Sequence, residues 1–256
     1  MGIILYLPLK FPIVFENVDL HHLLFMDIET VSGHSQYLDL PPSLQSLWSE
    51  KISKIAPETQ DMGTAYSERA ALFAAFGRIV CISIGYFPHY RPEDPGILRL
   101  KSFAGTDEKV VLTDFFQTLS VFESRSRRLQ FGGHNIQEFD IPYICRRALV
   151  NGLSLPGSLR WYNKKPWELP VVDTMRMWGF GQFRSFISLK LLAAILDIAS
   201  PKDDIDGSQV GQVFWEDKDL ERIQTYCQKD VVTVAQVVLR FKQQALLNEQ
   251  NIEIVR

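Results

Sequence analysis

The sequence predicts an α/β or α+β fold: one mixed sheet with helices on both sides. Three observations carry that expectation. First, the apolar run Leu23–Met26 leads into Asp27, Ile28, Glu29 and Thr30, the pattern of a buried strand that ends in a polar turn. Second, Ile79–Phe87 and Ile97–Phe103 read as two further strands separated by the turn-rich stretch PHYRPEDPG. Third, helical periodicity takes over afterwards, with short strand-like runs between the helices.

The elements follow in order. The first fifteen residues are apolar but broken by Pro8, Lys10 and Pro12. They lack the basic start and the small-residue cleavage site of a signal peptide, so they read as an extended lead-in. Pro42 and Ser43 open a short helix, PPSLQSLWSEKI. Residues 57–69 are polar and read as irregular. Asp107–Phe122 places apolar residues at 110, 111, 115, 116, 119 and 122, one helical face. Leu129–Phe131 reads as a short strand ending at Gly132 and Gly133. Glu138–Val150 has helical period and is stopped by Asn151-Gly152. A loop rich in Trp, Tyr, Lys and Pro spans 155–170, and Val171–Thr174 reads as another strand. Ser188–Leu196, Ser208–Trp215 and Asp217–Leu247 are helical, with Ser188 and Asp217 as expected caps. With no internal repeat or linker, one domain is expected over residues 23–247, with a lead-in at 1–22 and a tail at 248–256.

Composition narrows the function classes. Of 256 residues, 46% are hydrophobic and 22% charged, enough for a core without disulfides. Cys81, Cys145 and Cys227 lie far apart and make neither a zinc motif nor a disulfide framework, so a reducing cytoplasm is the expected compartment. No run is long enough for a membrane span. The net charge is -3, yet residues 121–190 hold 11 Lys and Arg against 5 Asp and Glu. That local excess fits either a polyanion site or a solvated basic face.

The candidate chemistry lies in carboxylates. Side chains alternate along a strand, so Asp27 and Glu29 share a face while Ile28 points away. Two carboxylates side by side at a buried strand end repel each other, and a divalent cation relieves that. Two unrelated acids at a solvated strand end fit the same pattern. Asp140 stands between Phe139 and Ile141, where it is either a helix N-terminal charge or part of a site. Tyr226 and Asp230 are four residues apart on a helix whose next residues are Val231, Val232 and Val234. That spacing puts phenol and carboxylate on one face.

These three segments resemble the exonuclease motifs of DEDD 3′–5′ exonucleases: Asp27-Ile28-Glu29-Thr30, then Asn135 with Phe139-Asp140, then Tyr226-x-x-x-Asp230. The tyrosine marks the subclass that includes the proofreading domain of family-B DNA polymerases; the histidine subclass would carry His where Thr225 stands. Lys165–Glu168, Val172–Met175 and Pro201–Val210 resemble stand-alone bacterial exonucleases related to that domain. The resemblance runs from about residue 23 to 242.

It implies a ribonuclease-H-like fold with a mixed five-stranded sheet. It also implies two Mg²⁺ or Mn²⁺ ions held by Asp27, Glu29, Asp140 and Asp230, with Tyr226 orienting the attacking water. The expected reaction releases nucleoside 5′-monophosphates from the 3′ end of single-stranded DNA, with RNA ends the alternative and a role in repair or nucleic-acid turnover. A catalytically silent nucleic-acid-binding module is the rival class. Ile28 and Phe139 are expected to wedge against terminal bases, with Thr30 and Asn135 as further nucleic-acid contacts. Lys164 and Lys165, with Arg160, Trp161, Tyr162 and Trp167, suit single-strand binding by charge and stacking; anchoring by buried Trp fits the loop equally.

Other patterns fall short. Gly179–Arg184 lacks the third glycine of a dinucleotide loop. Asp203–Gly207 resembles a calcium loop, but Lys202 and Val213 occupy ligand positions. His134 lies near the proposed site and is expected to make a structural hydrogen bond.

Overall fold

The computed structural model describes residues 15, 17–55, 61–91, 94, 96–182, 186–199 and 205–255. Most of the lead-in and part of Pro201–Val210 lie outside them. Six strands form one sheet: β1 Leu23–Ser32, β2 Gly77–Tyr86, β3 Leu98–Ala104, β4 Gln130–Gly133, β5 Val171–Asp173 and β6 Ile252–Ile254. Their order is β5-β4-β1-β2-β3-β6, and β2 runs against the other five. The first five strands have the ribonuclease-H-like order that the resemblance implies. The sixth is an addition to the expected five: Ile252–Ile254 pairs in parallel with Leu98–Leu100.

The helices are α1 Pro42–Ile52, α2 Met62–Arg69, α3 Glu108–Arg125, α4 Asp140–Val150, α5 Thr174–Gly179, α6 Leu189–Ile195, α7 Val210–Gln212 and α8 Leu220–Phe241. Two of them correct the sequence reading. Residues 57–69, expected to be irregular, contain α2, which is capped by the Asp61 carboxylate on the Gly63 and Thr64 amides. The cap of α8 is Asp219 and not Asp217. Helix α7 runs on into a wider turn, Val213–Asp217, before α8 begins. Among the described residues no helix is long and apolar enough to cross a membrane.

Strand β1 lies at the centre of the sheet and is buried on both faces. Leu24, Met26 and Ile28 pack with α3 and α4 through Leu112, Phe115, Ile141 and Ile144. Leu23 and Phe25 pack on the opposite side against Val231, Val234 and Val238 of α8. A strand covered on both faces needs a continuous apolar run, and β1 has one until Asp27. Gly85 of β2 lets α8 come close: a Cβ there would lie 2.8 Å from the Val231 side chain.

The position of α4 matters because Asp140 is its first residue. Two polar ties fix it. The Tyr143 hydroxyl donates to the Ala71 carbonyl at 2.9 Å. Further along, Arg147 reaches Glu108 of α3 at 2.6–3.1 Å and donates to the Ala74 carbonyl. Glu108 also accepts from the Ile79 amide at 2.7 Å and from the Asn151 side chain at 2.8 Å. The pair therefore joins α3, α4 and β2, and it is buried. Removing one partner strands the other charge. Glu108→Ala is expected to cost roughly 3–5 kcal/mol in urea unfolding, as for other broken buried pairs; a loss under about 1 kcal/mol, the range of a surface pair, would show that the tie is solvated.

Candidate active site

Carboxylates from distant segments gather around β1 near enough for their charges to act on one another, though the group whose donor atoms lie within 4.8 Å holds Asp27 and Glu29 with Cys227 and neither Asp140 nor Asp230. Asp27 and Glu29 point toward α8, as their alternation requires; Asp27 is half-buried and Glu29 is 7% exposed. Asp140, 4% exposed, arrives from the free edge of the strand. Strand β4 pairs with β1 only over Leu23–Phe25, so the edge beyond is open. There the Ile28 amide donates to Asp140 Oδ1 at 3.2 Å. Asp230 is on the face of α8 that it shares with Tyr226, and its charge acts on Asp27, Glu29 and Asp140.

A β-bulge lies beside the pair. Glu29 is opposite Cys81 and Thr30 opposite Ile79, so Val80 is the extra residue of β2. Val80 and Cys81 then both pack with Val31 and Cys227 on the α8 side. Cys227 Sγ lies 3.4 Å from Asp27 Oδ2 and from the Asp27 carbonyl. Beneath the carboxylates, Gln228 Nε2 donates to Ser102 Oγ at 2.8 Å, and Ser102 and Ser83 share a hydrogen bond of 2.8 Å.

The electrostatics follow from this crowding. Burial, then the charges of Glu29, Asp230 and Asp140, hold the Asp27 carboxyl well above the usual range. Glu29 is raised well above it too, by burial first and Asp230 next. Asp140 is pushed up to about 7, chiefly by burial, against the hydrogen bond from the Ile28 amide. Asp27, Glu29 and Cys227 offer donor atoms within 4.8 Å of one another, a group that could hold a metal ion.

The other sequence-selected residues are placed as follows. Tyr226 is half-buried against the Val31, Val80 and Phe214 cluster, and its hydroxyl would lie 4.0 Å from a Cβ at Gly207. Ile28 is buried in the main core and shows little surface to a base. Thr30 donates its hydroxyl to the Ala71 carbonyl at 2.9 Å. Phe139 is half-buried, its ring 5.4 Å from that of Tyr143. Asn135 is half-buried with φ 61°, in the left-handed region that Asn tolerates. Lys164 and Lys165 are exposed, and Lys165 Nζ lies 5.3 Å from the Trp167 ring centre.

The aromatic loop divides. Trp161 is anchored, donating to the Ser158 carbonyl at 2.7 Å and packing on Phe131, while Tyr162 and Trp167 are 89% and 77% exposed. A groove of about 830 Å³ runs between α4 and this loop, starting at Ile141 and passing Arg146, Arg160 and Tyr162. His134 makes structural bonds, from Nε2 to the Ile187 carbonyl at 2.8 Å and between Nδ1 and the Thr174 hydroxyl at 2.9 Å. Burial pushes its pKa down. Sequence reasoning missed Cys227 and Asp173. Cys227 sits three residues before Asp230, one helical turn away, and Asp173 was visible only as a carboxylate between an apolar pair and Thr174.

Sheet order and helical layers place the molecule in the ribonuclease-H-like class. The chain belongs to the family of predicted 3′–5′ exonucleases related to the exonuclease domain of PolB, whose model matches residues 72–253. The match includes Asp140, Tyr226 and Asp230, and begins after Asp27 and Glu29. A solved structure of the family B DNA polymerase from the hyperthermophilic archaeon Pyrobaculum calidifontis is 15% identical, with a TM-score of 0.49 over 85% of this chain. This chain spans 24% of that polymerase. A comparison with curated proteins gave no match.

Raised carboxyl pKa values have a definite sign in stability. Asp27, Glu29 and Asp140 bind protons more tightly folded than unfolded, so their contribution is greatest in acid and is lost as pH rises through their raised folded values, which for Asp140 is about 7. In EDTA, the Tm is therefore expected to fall between pH about 5 and about 8, and Asp27→Asn to raise it at the upper pH. An Asp27→Asn protein less stable than its parent at that pH would contradict the crowding.

Proposed function

We propose that the chain is a divalent-metal-dependent 3′–5′ exonuclease acting on single-stranded DNA and releasing nucleoside 5′-monophosphates. One observation carries the reading: Asp27 and Glu29 on β1 lie with Cys227 of α8 within 4.8 Å, and Asp140 of α4 binds the Ile28 amide between them, so three distant segments bring acids to one strand end beside Asp230. Structural acids have no need to meet in this way. The family supplies the reaction class.

The donor set fits a hard divalent cation. The influences that dominate at Asp27 are burial and three like charges, which Mg²⁺ or Mn²⁺ would reverse. The four carboxylates would hold two such ions. When bound, the ions supply Lewis acidity toward the phosphodiester and make water a better nucleophile at neutral pH.

The chain's own groups do the rest. Asp140 is held at the strand edge by the Ile28 amide, which donates to its Oδ1. Tyr226 orients water as a hydrogen-bonding group, since a phenol of ordinary pKa about 10 is a poor base at neutral pH. Phe139 and Asn135, both half-buried ahead of Asp140, are placed to meet the terminal nucleotide. Exposed Tyr162, Lys164, Lys165 and Trp167 suit a strand held by charge and stacking, which needs no base sequence. DNA is the preferred substrate on the family's tie to a polymerase exonuclease domain.

The test is purified protein on 3′-labelled single-stranded DNA, duplex DNA and RNA, with Mg²⁺, Mn²⁺ or EDTA. Stepwise loss from the 3′ end of single-stranded DNA, abolished by EDTA, is expected; faster cutting of matched RNA would transfer the proposal to RNA. Asp27→Ala is expected to lower kcat by roughly 100–1000-fold or more, the scale of losing a charge-stabilising group. Tyr226→Phe, which removes one hydrogen bond, is expected to cost about tenfold. Full activity in Asp27→Ala would remove the proposed site.

A further inference from the structure

Asp173 ends β5 opposite Gly133 and is 4% exposed. Its carboxylate accepts four backbone amides. Two of them, Met175 at 3.0 Å and Arg176 at 3.4 Å, are the free first-turn amides of α5, an ordinary cap. The other two belong to the turn after β4: Asn135 at 3.0 Å and Gln137 at 3.2 Å, 38 and 36 residues away in sequence. A helix cap does not need those, and the turn they hold is the one that delivers Asp140.

We propose that Asp173 is a positioning residue for the exonuclease site: it clamps the 134–139 turn so that Asp140 reaches the Ile28 amide. The proposal rests on the reading given under Proposed function.

The path from Asp173 to Asp140 is short and stiff. The Asn135 amide is held by Asp173, and the Asn135 carbonyl accepts from the amides of Glu138 at 3.1 Å and Phe139 at 2.9 Å. The Ile136 carbonyl accepts from Ile141 at 3.2 Å, so the turn passes into α4 without a slack residue. Asn135 is left-handed at φ 61°, a conformation that Asn tolerates and that turns the chain sharply after β4. Asp173 holds that turn. The neighbouring residue repeats the device: Thr174 pairs with His134, and His134 donates on to the Ile187 carbonyl. Asp173, the last residue of β5, and Thr174, the first of α5, thus grip His134, Asn135 and Gln137 of the turn. Gly133 leaves no room for adjustment, because a Cβ there would lie 2.6 Å from Ile136.

The reach of the clamp can be read at Ile28. Its amide is protected from exchange by Asp140, so the rate reports where Asp140 stands. Asp173→Ala removes both acceptor oxygens and so all four hydrogen bonds. Asp173→Asn keeps one oxygen, enough for Asn135 and Met175, and loses the acceptor for Gln137. In metal-free protein, hydrogen exchange by NMR is expected to be at least about tenfold faster at Ile28 in Asp173→Ala and intermediate in Asp173→Asn, with the α8 amides of Val231–Leu239 unchanged. With Mn²⁺ and labelled single-stranded DNA, kcat is expected to fall roughly 100-fold in Asp173→Ala while KM stays within about threefold.

Unchanged exchange at Ile28 in a folded Asp173→Ala protein overturns the proposal. So does a rise shared by the whole sheet, which would make Asp173 only a fold-stabilising cap. If Asp173→Ala does not fold, Asp173→Asn is judged by the same two criteria. The exchange experiment needs no turnover, so an inactive parent protein would sink the nuclease reading and leave the positioning role to be decided at Ile28.

Discussion

The crowding of carboxylates at a strand end largely shielded from water is the constraint around which this molecule is arranged. Asp27 and Glu29 are placed together by strand alternation, and Asp140 and Asp230 are brought to them by two helices. Left alone, such groups move apart or take up protons. The fold prevents the first. Strand β1 is fixed by cores on both faces, α8 by its close approach to Gly85, and α4 by Tyr143 and the Arg147–Glu108 pair. Burial and like charge push the carboxyl groups in the direction of the second. A bound divalent cation would relieve that arrangement.

The open edge of β1 makes that arrangement possible. Had β4 continued alongside β1, its carbonyls would have taken the Ile28 amide. Instead the chain leaves the sheet at Gly133 and turns sharply through left-handed Asn135. A carboxylate at the start of α4 fills the vacant ladder position. The same stroke satisfies a buried amide and brings in a third acid. The bulge at Val80 acts on the opposite edge, putting Val80 and Cys81 together under α8. Both irregularities flank the carboxylates, where a regular sheet would leave no space for them.

Much of this was legible in the sequence because the signals were local. The apolar run into Asp27, the 107–122 periodicity and the Tyr226–Asp230 spacing each depend on residues close together in the chain. The resemblance then supplied the order of strands. What escaped depended on distant partners. Residues 62–69 look polar because only Ala65 and Tyr66 are buried there, so α2 showed no apolar stripe. Strand β6 has three residues and exists through its pairing with β3. Within the site, Ile28 and Thr30 look available on an extended strand, yet one is core and the other is tied to Ala71. Asp173 gave no local hint that its oxygens reach back to the turn after β4.

The most direct test of the central claim is to count ions. Calorimetric titration of the metal-free protein with Mn²⁺ near neutral pH should show two ions bound per chain, with protons released as the carboxyl groups ionise. Replacing Asp140 by Asn should remove or weaken one of the two. A parent protein that binds no Mn²⁺, or binds it equally well without Asp140, would contradict the account.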